Sequence, residues 1–174
     1  EGGLLREVVG DWTVWWLKGR RGSGCCLVCG FVGGWLLRCR KSAKNDIGNS
    51  YVEVSISNQE VWLFVNGECK VNSSVVTGDP TKGHQTYTGV YALTYKQRNA
   101  TLTGPNAGGG SYSSKVSFWM PFNGGQGLHD ATWRPSFGGS IYRGNGSHGC
   151  VNCPYSTAAV LYKYVEEGFP VIIY

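Results

Sequence analysis

The chain's 174 residues are enough for one domain with a substantial core and too few for two ordinary ones. Its net charge of +5 lies entirely before Asp46, where eight basic residues face three acidic ones; the eight of each sign that follow cancel. A neutral body with no basic stripe among its aromatics excludes a nucleic-acid partner, and no run approaches the ~18 apolar residues of a membrane span.

Residues 1–45 read unlike the rest. Trp12, Trp15, Trp16 and Trp35 are scattered among arginines and a cysteine cluster, with a period of neither 2 nor 3.6. Cys26-x-x-Cys29 invites a metal knuckle, yet a closed zinc site needs four ligands and only Cys25 and Cys39 lie nearby. The segment is an upstream remnant, a linker or damaged sequence, and is treated as non-catalytic. Its most apolar run, Cys25 to Leu37, is broken by Gly30, Gly33 and Gly34 and makes no complete signal peptide.

From residue 46 to 174 the texture is that of a mainly β domain, rich in Gly, Val, Tyr, Thr and Ser. Residues 51–57 alternate apolar and polar, and 61–65 follow after an Asn58-Gln59 turn, which makes a hairpin. Asn66-Gly67 is a strong two-residue turn signal and leads into a third strand over 69–76. Gly78-Asp79-Pro80 then breaks the sheet. Further strands are expected over 88–95 and 100–103, followed by a glycine-rich stretch, 104–110, and a loop or flap over 114–119. One helix is expected over 154–167, with Pro in its first turn, apolar residues at helical spacing and Gly168 as its stop. Residues 170–174 form a closing strand.

The stretch from Leu128 to Asn152 holds two of the three histidines, His129 and His148, together with Cys150, set among glycines and short polar residues. A cysteine nucleophile needs a base, a group that orients the base, and backbone N–H groups to receive an oxyanion. His129 and His148 are candidate bases, Asp130 can orient an imidazole by carboxylate or carbonyl, and amides around Gly149 and Cys150 can face a substrate oxygen. A helix beginning just past Cys150 would favour its thiolate. Two alternatives stay open on the residues alone. His129, His148, Cys150 and Cys153 have the types of a tetrahedral metal site, though His148 and Cys150 are too close in sequence to wrap one ion well; purely structural roles are the other. His84 reads as a hydrogen-bonded loop residue, and Trp62, Trp119 and Trp133 as core or cleft wall.

Ser147-His148-Gly149-Cys150-Val151-Asn152, preceded by His129-Asp130-Ala131 and Phe137-Gly138-Gly139, resembles the signature of the L,D-transpeptidase (YkuD-type) catalytic domain. Residues 46–54, 75–78, 88–91, 118–122 and 168–171 fall in the order such domains show, so the resemblance covers about 46–174 and omits 1–45. Cys150 follows His129 by 21 positions, a gap at the long end of the family range but familiar in Gram-positive members.

The resemblance implies a YkuD-like β-sandwich with one short helix after the catalytic cysteine, and a monomeric enzyme of the bacterial cell wall acting outside the membrane without cofactor or metal. Its partners would be peptidoglycan stem peptides, a donor tetrapeptide and an acceptor amine, with carbapenems as inhibitors. Cys150 would attack the carbonyl of the donor's third residue and expel the terminal D-alanine. A neighbouring stem's amine would then resolve the thioester into a 3→3 cross-link. His129 would be the base and Asp130 its orienter, with Ser147, His148 and Gly149 lining the site and helping to form the oxyanion hole. Asn152 stands where some relatives have Arg. The rivals are an L,D-carboxypeptidase, with water as acceptor, and a non-catalytic wall-binding module. An exported enzyme needs a signal or anchor, so the chain is expected to be the C-terminal part of a longer protein. Two departures stand out. Thr86-Tyr87-Thr88-Gly89 lacks a usual proline, and Cys153 replaces a usual apolar residue, as a small buried hydrophobe or as a thiol able to trap Cys150 in a disulfide.

Overall fold

The computed structural model describes residues 4–9, 12–17, 47–105 and 109–174. Its contacts divide the chain into two units, Glu1–Asp46 and Ile47–Tyr174. In the first, β1 (Leu4–Val9) and β2 (Trp12–Leu17) pair antiparallel, Leu4 opposite Leu17 and Val9 opposite Trp12. Reading for periodicity misses this pair, although the intervening Gly10-Asp11 is a dipeptide suited to a tight hairpin. Cys25, Cys26, Cys29 and Cys39, and with them the metal-knuckle reading, lie outside the described residues.

The second unit is two sheets over one core. β3 (Tyr51–Ser55), β4 (Glu60–Val65) and β5 (Glu68–Ser74) form an antiparallel meander. Asn66 and Gly67 both take positive φ, 54° and 80°, in the turn their sequence forecasts. β11 (Pro170–Ile173) then inserts between β3, to which it runs parallel, and β6 (Gly89–Ala92), giving the order β5-β4-β3-β11-β6. The closing strand is therefore internal. Val171 and Ile173 face the core from it, beside Val52 and Val54.

The other sheet has the order β10-β9-β8-β7, from β7 (Gln97–Pro105), β8 (Ser111–Asn123), β9 (Gln126–Asp130) and β10 (Val151–Cys153). Residues 114–119, expected as a loop or flap, lie inside the thirteen-residue β8, paired to β7 from Ser111 to Trp119. Serines at its outward positions disguise the alternation that puts Val116 and Phe118 inside. A short irregular turn, α1 (Tyr142–Asn145), precedes the cysteine loop. The expected helix is α2 (Tyr155–Tyr164), shorter than 154–167 because Val165 already has extended backbone. It buries Ala158 and Leu161 between the sheets' apolar faces, with Phe118, Met120, Leu128 and Val151. Burying such side chains, at about 1.5–3 kcal/mol each, holds the two sheets together, with the Val76–Asn152 backbone bridge joining their edges.

Candidate active site

β9 and β10 run parallel with His129 opposite Asn152 and Asp130 opposite Cys153, while Trp119 of β8 faces His129 from the other side. Side chains alternate along a strand. Asn152 and the preceding Cys150 therefore share one face with His129, and all three line one cavity with Tyr112, Trp133, Arg134 and Ser147. Val151 and Cys153 point the opposite way into the main core, where Cys153 is 0% exposed. The proposed disulfide partner of Cys150 thus lies on the far side of its own strand, and all three described cysteines, Cys69 included, are free. Cys153 is the small buried hydrophobe. The same alternation removes it from any ligand set with His129, His148 and Cys150, and no group of three or more potential ligands gathers among the described residues.

His129 is 4% exposed, its ring between Trp119 and Trp133 with centroids 6.0 and 5.9 Å away. Nδ1 lies 2.9 Å from the backbone oxygen of Asp130, which can only accept, so Nδ1 carries the hydrogen and Nε2 is left as a base. The Asp130 carboxylate does not orient the ring. Its Oδ1 accepts the Phe118 N–H at 2.8 Å, tying β9 to β8, and the orienting group is its carbonyl. Burial lowers the His129 pKa and outweighs the Asp130 carbonyl and carboxylate, which raise it, while the charge of Arg134 adds a smaller lowering, so the neutral imidazole is favoured.

Cys150 is 8% exposed, with Sγ 3.5 Å from the carbonyl oxygen of Gly125. Burial pushes its pKa up to about 11, against a smaller opposing contribution from the Gly127 N–H. The expected help from a helix N terminus is not there. β10 and Pro154 separate Cys150 from the first residue of α2 by five extended steps, on the order of 16 Å, whereas a helix end acts within about one turn. Both shifts favour the uncharged forms, a thiol and a neutral imidazole.

The cysteine loop is positioned by hydrogen bonds rather than by apolar packing. The Ser147 hydroxyl accepts the Gly149 N–H at 3.0 Å and donates to the Cys150 carbonyl. Gly149 has φ +115°, a backbone conformation that residues with a side chain rarely adopt. Its carbonyl accepts from Thr86 Oγ1 at 2.8 Å. Gly149 therefore does not line the cavity as expected, and its amide is committed to Ser147. Below the loop Asp79 is buried: its N–H donates to Ser147 O at 3.0 Å, and Oδ1 accepts from the backbone and hydroxyl of Thr81. Those bonds, the Thr81 hydroxyl foremost, hold its carboxyl well below the usual range.

His148 is exposed, its ring between Tyr112 of β8 at 4.6 Å and His84 at 4.7 Å. Sequence reading placed His84 in an unrelated turn and missed Tyr112 and Arg134 altogether. Neither residue sits in a motif, and only the crossing of β8 and the loops over the cysteine brings them in. A second cavity, lined by Tyr95, Gln97, Leu102, Trp119 and Gly125 among others, reaches Cys150 from the β7–β8 side; Leu102 and Tyr112 border both.

The sequence profile of the L,D-transpeptidase catalytic domain (YkuD) matches residues 49–173. A crystallised Cys-to-Ser mutant of the Enterococcus faecium L,D-transpeptidase is similar with a TM-score of 0.70 and 35% identity, over 78% of this chain and 53% of that one. The E. faecium catalytic domain acylated by ertapenem, an NMR structure, has a TM-score of 0.66 and 38% identity, over 73% of this chain and 98% of that one. An L,D-transpeptidase from Mycobacterium smegmatis, 20% identical, shares the fold with a TM-score of 0.62, over 98% of this chain and 77% of that one. The chain thus spans about half the length of the crystallised E. faecium enzyme. Comparison with curated proteins gave no match.

Proposed function

Given that the chain belongs to the L,D-transpeptidase (YkuD) family, we propose that it forms 3→3 cross-links in peptidoglycan through a thioester on Cys150. The observation that carries this reading is one thiol opening on two cavities, only one of which His129 also lines. His129 Nε2 takes the proton of Sγ as sulfur bonds to the carbonyl carbon of the donor's third residue. Collapse of the tetrahedral intermediate breaks the bond to the terminal D-alanine nitrogen, which receives that proton from His129. The acceptor amine then attacks the thioester, loses its proton to the same Nε2, and the thiol is restored. Every atom is accounted for without a cofactor.

Because His129 serves both the departing and the arriving amine, both belong in its cavity, and the donor acyl group extends into the other. The oxyanion falls to loop amides other than that of Gly149. The substrate places the reaction on the outer side of the membrane. Two experiments test the reading. Wild-type protein should gain the mass of one carbapenem, as in the acylated E. faecium domain, and Cys150→Ala should gain none. Incubating donor stem alone and donor with acceptor should give the cross-linked dimer by mass spectrometry only in the second. Release of D-alanine with tripeptide as the sole product in both would make the protein an L,D-carboxypeptidase instead.

A further inference from the structure

The cavity at Cys150 carries a positive charge that the protein leaves unanswered. Arg134 lines it beside His129, Cys150 and Asn152, and no acidic residue does. Its guanidinium is anchored on one side, Nη1 donating to the Asn145 carbonyl at 2.8 Å, and its backbone N–H to Ala131 O at 3.0 Å ties it to the end of β9. Its Nε is buried without an acceptor, and the ion pairs among the described residues, Lys70–Glu68, Lys82–Asp79 and Lys96–Glu166, leave it without a carboxylate. A partly buried guanidinium without a carboxylate partner is costly unless an anion arrives to pair with it. The planar fork is matched to a carboxylate.

We propose that Arg134 recognises the α-carboxylate of the D-amino acid that leaves when the donor acylates Cys150, so the site selects peptides whose scissile bond is the last in the chain. The inference rests on the function proposed above. In such a donor the leaving nitrogen is bonded to the carbon that bears the terminal carboxylate. That nitrogen must reach His129 to be protonated, and of the two cavities at the thiol only the one holding Arg134 contains His129. Carboxylate and guanidinium therefore meet in the same enclosure.

The test measures kcat/KM for a synthetic donor tetrapeptide and for its C-terminal amide, using the whole chain. Wild type should favour the acid by about ten- to a hundredfold, the worth of a charge-assisted pair. In Arg134→Gln the acid-to-amide ratio should collapse to within about threefold of unity, and Arg134→Lys should recover part of it. A merely structural role for Arg134 lowers both rates together and leaves the ratio intact, which overturns the proposal. So does a wild-type ratio near one. Should Arg134→Gln not fold, the wild-type and Arg134→Lys ratios decide, an undiminished ratio in Arg134→Lys counting against the guanidinium. Turnover of neither donor by wild type removes the proposed function and this inference with it, whereas turnover without discrimination removes the inference alone.

Discussion

Thr86 connects two segments that must stay in register for Cys150 to be presented. The residue is 4% exposed; its hydroxyl accepts the Gly78 N–H at 2.9 Å and donates to the Gly149 carbonyl at 2.8 Å. These backbones already touch, since a Cβ on Gly78 would lie 2.0 Å from the His84 carbonyl oxygen and 2.8 Å from Gly149 Cα. Water cannot take the hydroxyl's place in so tight a contact. Thr86→Val keeps the shape and leaves one buried donor and one buried acceptor without partners, at roughly 1–3 kcal/mol each. About 3 kcal/mol in all, at ~3–4 °C per kcal/mol for a domain of this size, lowers Tm on the order of 10 °C. Loosening Gly149 also shifts the neighbouring thiol, and carbapenem acylation should slow by about tenfold or more. Thr86→Ser retains the hydroxyl and should recover most of both losses. Thermal denaturation and the acylation rate measure the two effects, and a Thr86→Val protein melting within about 2 °C of wild type would refute the reasoning.

A neutral thiol beside a neutral imidazole predicts a particular pH profile. Acylation should be level from below pH 6.5 upward and decline only as acid protonates His129, whose pKa burial has lowered. A rate still climbing between pH 7 and 9 would show reaction through bulk-ionised thiolate, contrary to a thiol pKa of about 11. Cys153 faces the core, so mild oxidation followed by peptide mapping should yield no Cys150–Cys153 disulfide. Cys153→Ser should lower Tm by burying a hydroxyl in the apolar core, at roughly 1–3 kcal/mol. Asp79→Asn should lower Tm at pH 7. The folded pKa of Asp79 is depressed, so its contribution is present above the ordinary carboxylate value and lost as pH falls towards the folded one. The difference in Tm between wild type and Asp79→Asn should therefore shrink below about pH 3.8, and a constant difference across that window would remove the carboxylate's role.

What the amino-acid order determined by itself is whatever depends on neighbours in sequence. The β3–β4–β5 meander follows from period-2 patterning and from Asn66-Gly67, whose positive φ few other pairs adopt. The helix after the cysteine follows from Pro154 and its apolar spacing, and the chemistry of the 128–152 stretch from a thiol and two imidazoles among small residues. What only the tertiary structure decided are contacts between segments far apart in the chain. The internal place of β11 and the parallel pairing of β9 with β10 are choices of partner, which no local pattern encodes. That pairing put Cys150 and Asn152 on the face of His129 and sent Cys153 into the core, turning a possible redox pair into one cavity-lining thiol and one packing residue. It also set the carbonyl of Asp130, not its carboxylate, against the imidazole, and gathered Thr86, Tyr112 and Arg134, which sit in no motif, around the thiol. Local propensity selects elements; burial of their apolar faces selects which elements meet, and the site exists only where they do.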